Sequence, residues 1–453
     1  MPDATLTKAI DDIMRDFVSP QGPGVAVLIG RGDRVLVRKA YGLADVEQKQ
    51  SLVPENRFII GSVTKQFVGM CVMMLKHGGL LDYDDPVSRF LPGFPEWSDR
   101  VTVRQLLQHT SGIPEYLTQE FWEEVNARDE DIDRGTLLNR MRSYEQLDFE
   151  PGSNWRYSNS NYILLDAIIE KASGRTFAQF VKEKVFQPLE MEDTFAGETR
   201  ARPAGMAIGY EFNTKDKTFK EAPYNRAVVG WADGNIISTV DDMVKWVQAQ
   251  SSDKLLPLAK LSQAFVPWNP VNPYVTRYGF GLIMGERRGI REIHHSGSTL
   301  GYNALLSRFP DEQLCVILLS NAAGIGLDRI LGAIAGLMLG DKMQPLVPAV
   351  LPEEHYSEKL GRFRTQPWDR RLEIEVEWPQ GNSPGLKAVM LANDQPLAEF
   401  DLLPLSRDLF LADRQTDSYV EFIRDYDGRV CGCLLKSVGR VSRLNKIALE
   451  KNR

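Results

Sequence analysis

Cysteine is scarce in this chain, with four in 453 residues, at positions 71, 315, 431 and 433. No zinc-type spacing links them. Cys431 and Cys433 flank a single glycine in a strand-like run, which favours two thiols on one face over a disulfide. All four are expected as reduced core residues. Long apolar runs are missing too: none reaches the ~20 residues of a membrane span. The N-terminus carries no secretion signal, because Leu6, Ile10, Ile13 and Phe17 recur at helical spacing among Lys8, Asp11, Asp12, Arg15 and Asp16. That is an amphipathic surface helix, so a cytoplasmic protein is expected, with no membrane partner. Positive charge is in deficit, and the net charge of −7 gives no reason to expect nucleic acid or an anionic surface as partner. Internal repeats and low-complexity tracts are also lacking. What remains, 43% hydrophobic and 25% charged, is an ordinary globular chain with material for two or three domains.

The most informative stretch is Gly61-Ser62-Val63-Thr64-Lys65-Gln66-Phe67, which follows the apolar Phe58-Ile59-Ile60 and opens a helical pattern lasting to about His77. Ser62 is expected at or near the helix N-cap, and Lys65 shares its face at about 5–6 Å between Cβ atoms. A serine hydroxyl is a poor nucleophile until a neighbouring base takes its proton. The Ser-x-x-Lys spacing therefore makes Ser62 a candidate nucleophile and Lys65 its activator. A second copy, Ser251-Ser252-Asp253-Lys254, lies in a polar stretch that reads as a solvated turn. Only the first leads into an apolar set (Phe67, Val68, Met70, Cys71, Met74, Leu75) that buries its helix. The plain alternative for Ser62 is an ordinary helix cap.

Around this stretch the chain alternates between hairpin and helix patterns. Val25 to Ile29 and Arg34 to Ala40 read as an antiparallel hairpin around Gly30 to Asp33. Thr102-Val103-Arg104-Gln105 is a capping box, and Thr239 with Asp242 opens another helix. Glu150 to Asn159 delivers Tyr157 and Asn159, the sole Tyr-x-Asn in the chain, to the loop before an apolar helix from Tyr162 to Ala172. An Asx turn with a tyrosine tip is the plain reading of that pair. Tyr278 to Ile283, Ile290 to His294, Tyr302 to Phe309 and Cys315 to Leu319 read as strands, and Leu327 to Leu339 as a helix. Pro345, Pro348 and Pro352 then space out a linker. Beyond it, Leu372 to Trp378, Leu386 to Leu391, Tyr419 to Arg424 and Arg429 to Lys436 read as the strands of a barrel.

With His295-Ser296-Gly297 the set is complete. A serine nucleophile, a lysine, a tyrosine and a His-x-Gly strand, in this order, resemble the penicillin-recognising serine hydrolases. That family includes D,D-peptidases, class C β-lactamases, D-aminopeptidases and related esterases. The resemblance runs from about Gly24 to Gly340 and takes in Gln108-His109-Thr110-Ser111-Gly112 and Gly234 to Thr239. It implies an α+β fold: an antiparallel sheet flanked by helices, with a helical insert, of the serine β-lactamase type. The expected division is a catalytic domain at 1–340, a linker at 341–352 and a small all-β barrel at 353–453. It also implies that Ser62 is acylated and that Lys65 and Tyr157 share its proton. Asn159 would orient Lys65 and the substrate amide, and the N–H groups of Ser62 and Ser298, beside Gly297, would form the oxyanion hole. No metal or cofactor is implied.

One departure bears on specificity. Many members carry lysine where His295 stands, and a mostly neutral imidazole receives a carboxylate less well. Histidine there resembles the D-aminopeptidase branch, usually described with two barrels, whereas about 100 residues here suffice for one. The favoured activity is therefore cleavage of D-amino acid amides or short peptides. A carboxylesterase or a weak β-lactamase or D,D-peptidase on the same scaffold is the first alternative, and an acylated sensor or binding protein without turnover the second. The partner is a small-molecule or short-peptide substrate, and a homo-oligomer is compatible with the sequence. A Gly-x-Ser-x-Gly match at Gly381 to Gly385 is set aside as a loop, since a strand follows it and no histidine occurs after His355.

Overall fold

Val25 to Ile29 is a run of apolar residues none of which reaches solvent, and such a strand needs cover on both faces. It pairs antiparallel with Arg34–Tyr41 on one side and Leu314–Ser320 on the other. Beyond Leu314–Ser320 the sheet continues through Tyr302–Phe309 and Ile290–Thr299 to Ile283–Arg287, making six strands. The Val240–Ala249 helix lies on the Val25–Arg31 and Leu314–Ser320 strands. Its first turn is capped as expected, the Thr239 side chain accepting from the Asp242 N–H. The N-terminal helix, Ala4–Arg15, is held to the Arg34–Tyr41 strand by Asp11, which accepts from Lys39 and Tyr41 at 2.6 and 2.8 Å.

The computed structural model describes residues 4–127, 133–197, 202–213, 216–224, 231–269, 272, 274–365, 372–379, 385–392 and 395–447. Residues 381–384 of the Gly-x-Ser-x-Gly match lie outside them. The chain divides into two compact units. One comprises Met1–Trp268, Tyr278–Met284 and Glu292–Ile334; the other comprises Asn269–Arg277, Gly285–Arg291 and Ala335–Arg453.

In the first unit the helical insert is built on Thr64–His77 and Ser160–Ser173, which pack on each other. Ser160 through Ile169 are all buried, and a helix covered on every side belongs at the centre of its layer. The Val103–Leu107 helix, opened by the expected Thr102/Gln105 capping box, packs against Ser160–Ser173. A small sheet of Phe58–Ile59, Ile236–Ser238 and Phe195–Ala196 delivers the chain to Ser62.

The second unit contains a closed barrel of eight sequential antiparallel strands from Gly361–Thr365 to Arg440–Ile447. Closure removes the exposed edges that an open sheet would present. Phe363, Phe410, Phe422, Cys433 and Leu444 fill its core. Lys359 is fully buried there, donating to the His355 carbonyl and, at 3.1 Å, to Glu358.

Three expectations change. The stretch from Tyr278 to Ile283 is no strand: its ends form an isolated bridge, Gly279 N–H donates to the Leu282 carbonyl at 2.8 Å, and the strand is Ile283–Arg287. Gly281, at φ +76°, turns the backbone out of the extended region. Cys431 is only partly buried, since the pairing register shifts at Ile423/Arg424 opposite it. The other three cysteines are buried and free as expected. The barrel has twice the four strands expected, adding Gly361–Thr365, Gln395–Pro404, Leu409–Asp413 and Arg440–Ile447.

Candidate active site

Ser62 sits in a single 3-10 turn, Gly61–Val63, and the helix begins after it, at Thr64. Val63 occupies the N-cap and no side chain caps the helix. Ser62 therefore lies one residue before the N-cap, near the helix start as expected, and it is not the ordinary helix cap of the plain alternative. The Ser62 hydroxyl is taken up elsewhere, accepting from Lys65 Nζ at 3.0 Å.

Lys65 is completely buried. Its other two donors go to Asn159 Oδ1 at 2.8 Å and the Asp233 carbonyl at 2.6 Å. An ammonium thus satisfies all three N–H groups at once. A neutral amine keeps its two fixed acceptors and turns its lone pair to Ser62 Oγ, so one geometry serves both protonation states. Asn159 is locked in the amide orientation this needs: its backbone N–H and Nδ2 both donate to Glu115 Oε2 at 2.9 Å. Behind Lys65, the Asp233 carboxylate accepts from Tyr116 at 2.8 Å. Burial is the main influence on that carboxyl and pushes it up to about 6, although Lys65 and Tyr116 pull the other way. Burial, then Asp233, raises the Tyr116 hydroxyl well above its usual range.

Tyr157 reaches the site from the loop before the Ser160–Ser173 helix. Lys65 Nζ lies 5.1 Å from its ring centroid, and its buried hydroxyl has no partner among the described residues. A proton carrier can sit so before substrate binds, since catalytic hydrogen bonds often tighten only in the complex. Three rings surround it: His109 at 4.3 Å, Tyr278 at 6.0 Å and His295 at 6.3 Å between centroids.

His295 is 2% exposed. Its Nδ1 lies 2.7 Å from the Ser296 carbonyl, which can only accept, so Nδ1 carries a proton. Nε2 meets the Tyr278 hydroxyl at 2.9 Å. Both ring nitrogens are thus engaged by protein groups. Gly297 is where this strand meets the Ser62 turn: a Cβ there would stand 1.9 Å from the Ile60 carbonyl oxygen and 2.8 Å from Ser62 N. Gly61, at φ +51°, answers it, with its own absent Cβ 2.8 Å from Ser298 N. Two glycines therefore let the backbones of Ser62 and Ser298 come together. Ser298 itself is exposed.

The seven residues singled out by sequence converge, and the second Ser-x-x-Lys stays apart as a surface turn in which Ser252 Oγ donates to the Ala249 carbonyl at 3.2 Å. Glu115, Tyr116, Asp233 and Tyr278 carry no mark of their own in the sequence. Glu115 follows closely on the Gln108-to-Gly112 motif and Asp233 immediately precedes the Gly234-to-Thr239 one, and those neighbours are the signal that could have pointed to them. Among the described residues no cluster of three potential metal ligands occurs, and no helix is long and apolar enough to cross a membrane.

The family described as Beta-lactamase matches residues 7–336. Penicillin-binding protein 4* of Bacillus subtilis is 33% identical over 310 residues, 65% of this chain and 67% of that protein. Other curated relatives are matched over 62% of their length, so the chain spans less than two thirds of them. Among solved structures, the octameric penicillin-binding protein homologue from Pyrococcus abyssi has a TM-score of 0.67 at 24% identity, covering 98% of this chain and 100% of that one. A D-stereospecific amidohydrolase from Streptomyces sp. has a TM-score of 0.63 at 26% identity, covering 75% and 99% respectively.

Proposed function

This chain belongs to the β-lactamase family and is a serine hydrolase, and we propose that it works through an acyl-enzyme on Ser62, cleaving amide bonds of D-amino acid amides or short peptides. The observation that carries the mechanism is the buried Lys65 Nζ, within hydrogen-bond distance of Ser62 Oγ, Asn159 Oδ1 and the Asp233 carbonyl at once, where the neutral amine can turn its lone pair to the Ser62 proton. Ser62 Oγ attacks the carbonyl carbon, and its proton passes through Lys65 and Tyr157 to the leaving amine as the C–N bond breaks. The carbonyl oxygen, negative in the tetrahedral intermediate, is held by the N–H groups of Ser62 and Ser298. Water then hydrolyses the ester on Ser62, returning the proton. Residues 1–340 form the catalytic part in this reading and 353–453 the barrel.

Local charge supports an amine-bearing substrate. One lysine stands against two carboxylates, Glu115 on Asn159 and the buried Asp233. His295 offers no readily presented cation for a substrate carboxylate, since both its nitrogens are already bonded. The amidohydrolase likeness points the same way. The test is a panel of D- and L-amino acid p-nitroanilides beside p-nitrophenyl esters. Preference for D-anilides upholds the proposal; ester cleavage with no anilide turnover replaces it with a carboxylesterase. Self-association, suggested by the octameric homologue, is tested by light scattering.

A further inference from the structure

His109 takes no part in the chemistry just described, yet it is fully buried, and its backbone is held at φ +60°. A non-glycine residue adopts that left-handed conformation at a cost and only where the surroundings impose it. The Schellman ending of the Val103–Leu107 helix imposes it, with His109 N–H donating to the Leu106 carbonyl at 3.3 Å and Thr110 N–H to the Gln105 carbonyl at 2.9 Å, and the Tyr157 loop docks on the residue so held. The His109 carbonyl accepts from Arg156 N–H at 3.0 Å, and His109 Nδ1 accepts from Ser158 N–H at 3.2 Å. One residue thus grips the loop immediately before and immediately after Tyr157, and its ring lies 4.3 Å from the Tyr157 ring, tilted by 35°. A second contact, Asn161 Nδ2 at 3.1 Å, also reaches Nδ1. That amide is itself oriented, its Oδ1 accepting from Ser111 Oγ at 2.6 Å.

We propose that His109 is the positioning residue for Tyr157: a neutral imidazole whose backbone carbonyl and Nδ1 fix the loop on both sides of the tyrosine while its ring sets the plane of the phenol. The inference rests on Tyr157 carrying the proton, as proposed above. Histidine suits the task better than its substitutes. Phenylalanine has the ring without an acceptor, and asparagine has an acceptor at the Nδ1 position without the ring. Protonation of Nδ1 would break the grip, because a backbone N–H can only donate. Burial, with Lys65 and His295 nearby, holds the imidazole well below its ordinary range and so keeps it neutral.

A double-mutant cycle on acylation tests this, read as the pre-steady-state burst with p-nitrophenyl acetate on the full-length protein. His109→Phe should slow the burst roughly 10- to 30-fold, with KM shifting less than about 3-fold, because Tyr157 carries the proton but does not bind substrate. In a Tyr157→Phe background the same change should cost less than about 3-fold, since neighbours acting as a unit are not additive. His109→Asn keeps the acceptor and tolerates positive φ, so it should recover part of the loss. It also serves for the cycle if the phenylalanine variant does not fold. Equal slowing in both backgrounds, or a loss that follows the folded fraction alone, overturns the proposal. A Tyr157→Phe enzyme as fast as the parent would instead overturn the role of Tyr157 and this inference with it, so the two failures are distinguishable.

Discussion

Two Ser-x-x-Lys sequences in one chain make an internal control. Ser62 and Lys65 bond at 3.0 Å with the lysine fully buried. In the second copy Ser251 and Lys254 are exposed, and Ser252 Oγ accepts from the Lys254 backbone N–H rather than from its ammonium. The spacing is the same, so the spacing does not make the site. The first lysine is desolvated and supplied with exact acceptors by Asn159 and Asp233, 94 and 168 residues away in sequence. Water outside supplies the second with nothing fixed. A motif becomes chemistry when long-range folding removes its solvent and replaces it with oriented dipoles.

The largest expected effect breaks the comparison outright. Ser62→Ala should reduce turnover to background while circular dichroism stays unchanged, and a fluorophosphonate should label Ser62 in the parent, as seen by peptide mass spectrometry. An adduct on Ser251 would invert the assignment. Next, Lys65→Met should slow acylation about 10³-fold, within the range seen for acid–base groups, whereas Lys254→Met should leave the burst unaltered. Tyr157→Phe should cost about 10²-fold in the same measurement. A rate equal to the parent's would leave Tyr157 as a packing residue.

A pH experiment sharpens the contrast between buried and solvated charge. The Asp233 carboxyl is raised from 3.8 to about 6 by burial. Between those values the folded protein holds a proton that the unfolded chain has released, so this group's contribution to stability falls as pH rises through that window and is level above it. Asp233→Asn removes the titration, and its stability relative to the parent should improve by about 2 kcal/mol between pH 4 and pH 7. Urea midpoints at the two pH values measure it, and a constant difference would show the carboxyl to be unshifted. The smallest effect belongs to the control copy: Ser251→Ala should change stability by no more than about 0.5 kcal/mol.

What the sequence made legible follows from the same contrast. Ser62, Lys65, Tyr157, Asn159 and His295 stand in short local motifs, and the hairpin and helix patterns of the first unit follow the periodicity of their apolar residues. Glu115 and Tyr278 were not legible, because each acts on a partner reached by tertiary folding: Asn159 across 44 residues, and His295 across 17 residues from another segment of backbone. The cap reading of Ser62 failed because a 3-10 turn intervenes, and periodicity does not distinguish the two kinds of turn. In the barrel, Gln395–Pro404 holds prolines at both ends, and Arg440–Ile447 alternates charges with few apolar residues. The second lacks the apolar alternation that marks a strand, and the first carries it only in its middle, Ala398-Glu399-Phe400-Asp401-Leu402, between prolines that mask it, while closure of the barrel pairs both.

The bare Cα of Gly297 has a consequence for how such an enzyme can change. Its neighbours, the Ile60 carbonyl and the Ser62 N–H, are main chain, so no second-site substitution can make room for a side chain there. A library randomised at this codon should return glycine alone among active clones, whatever substrate is used for selection. Selection for a new substrate is thereby channelled to side chains at the rim, such as the exposed Ser298, that can vary without moving the two backbones apart. Chemistry and specificity are inherited on separate tracks, one carried by an atom that is missing and the other by atoms that are free to differ.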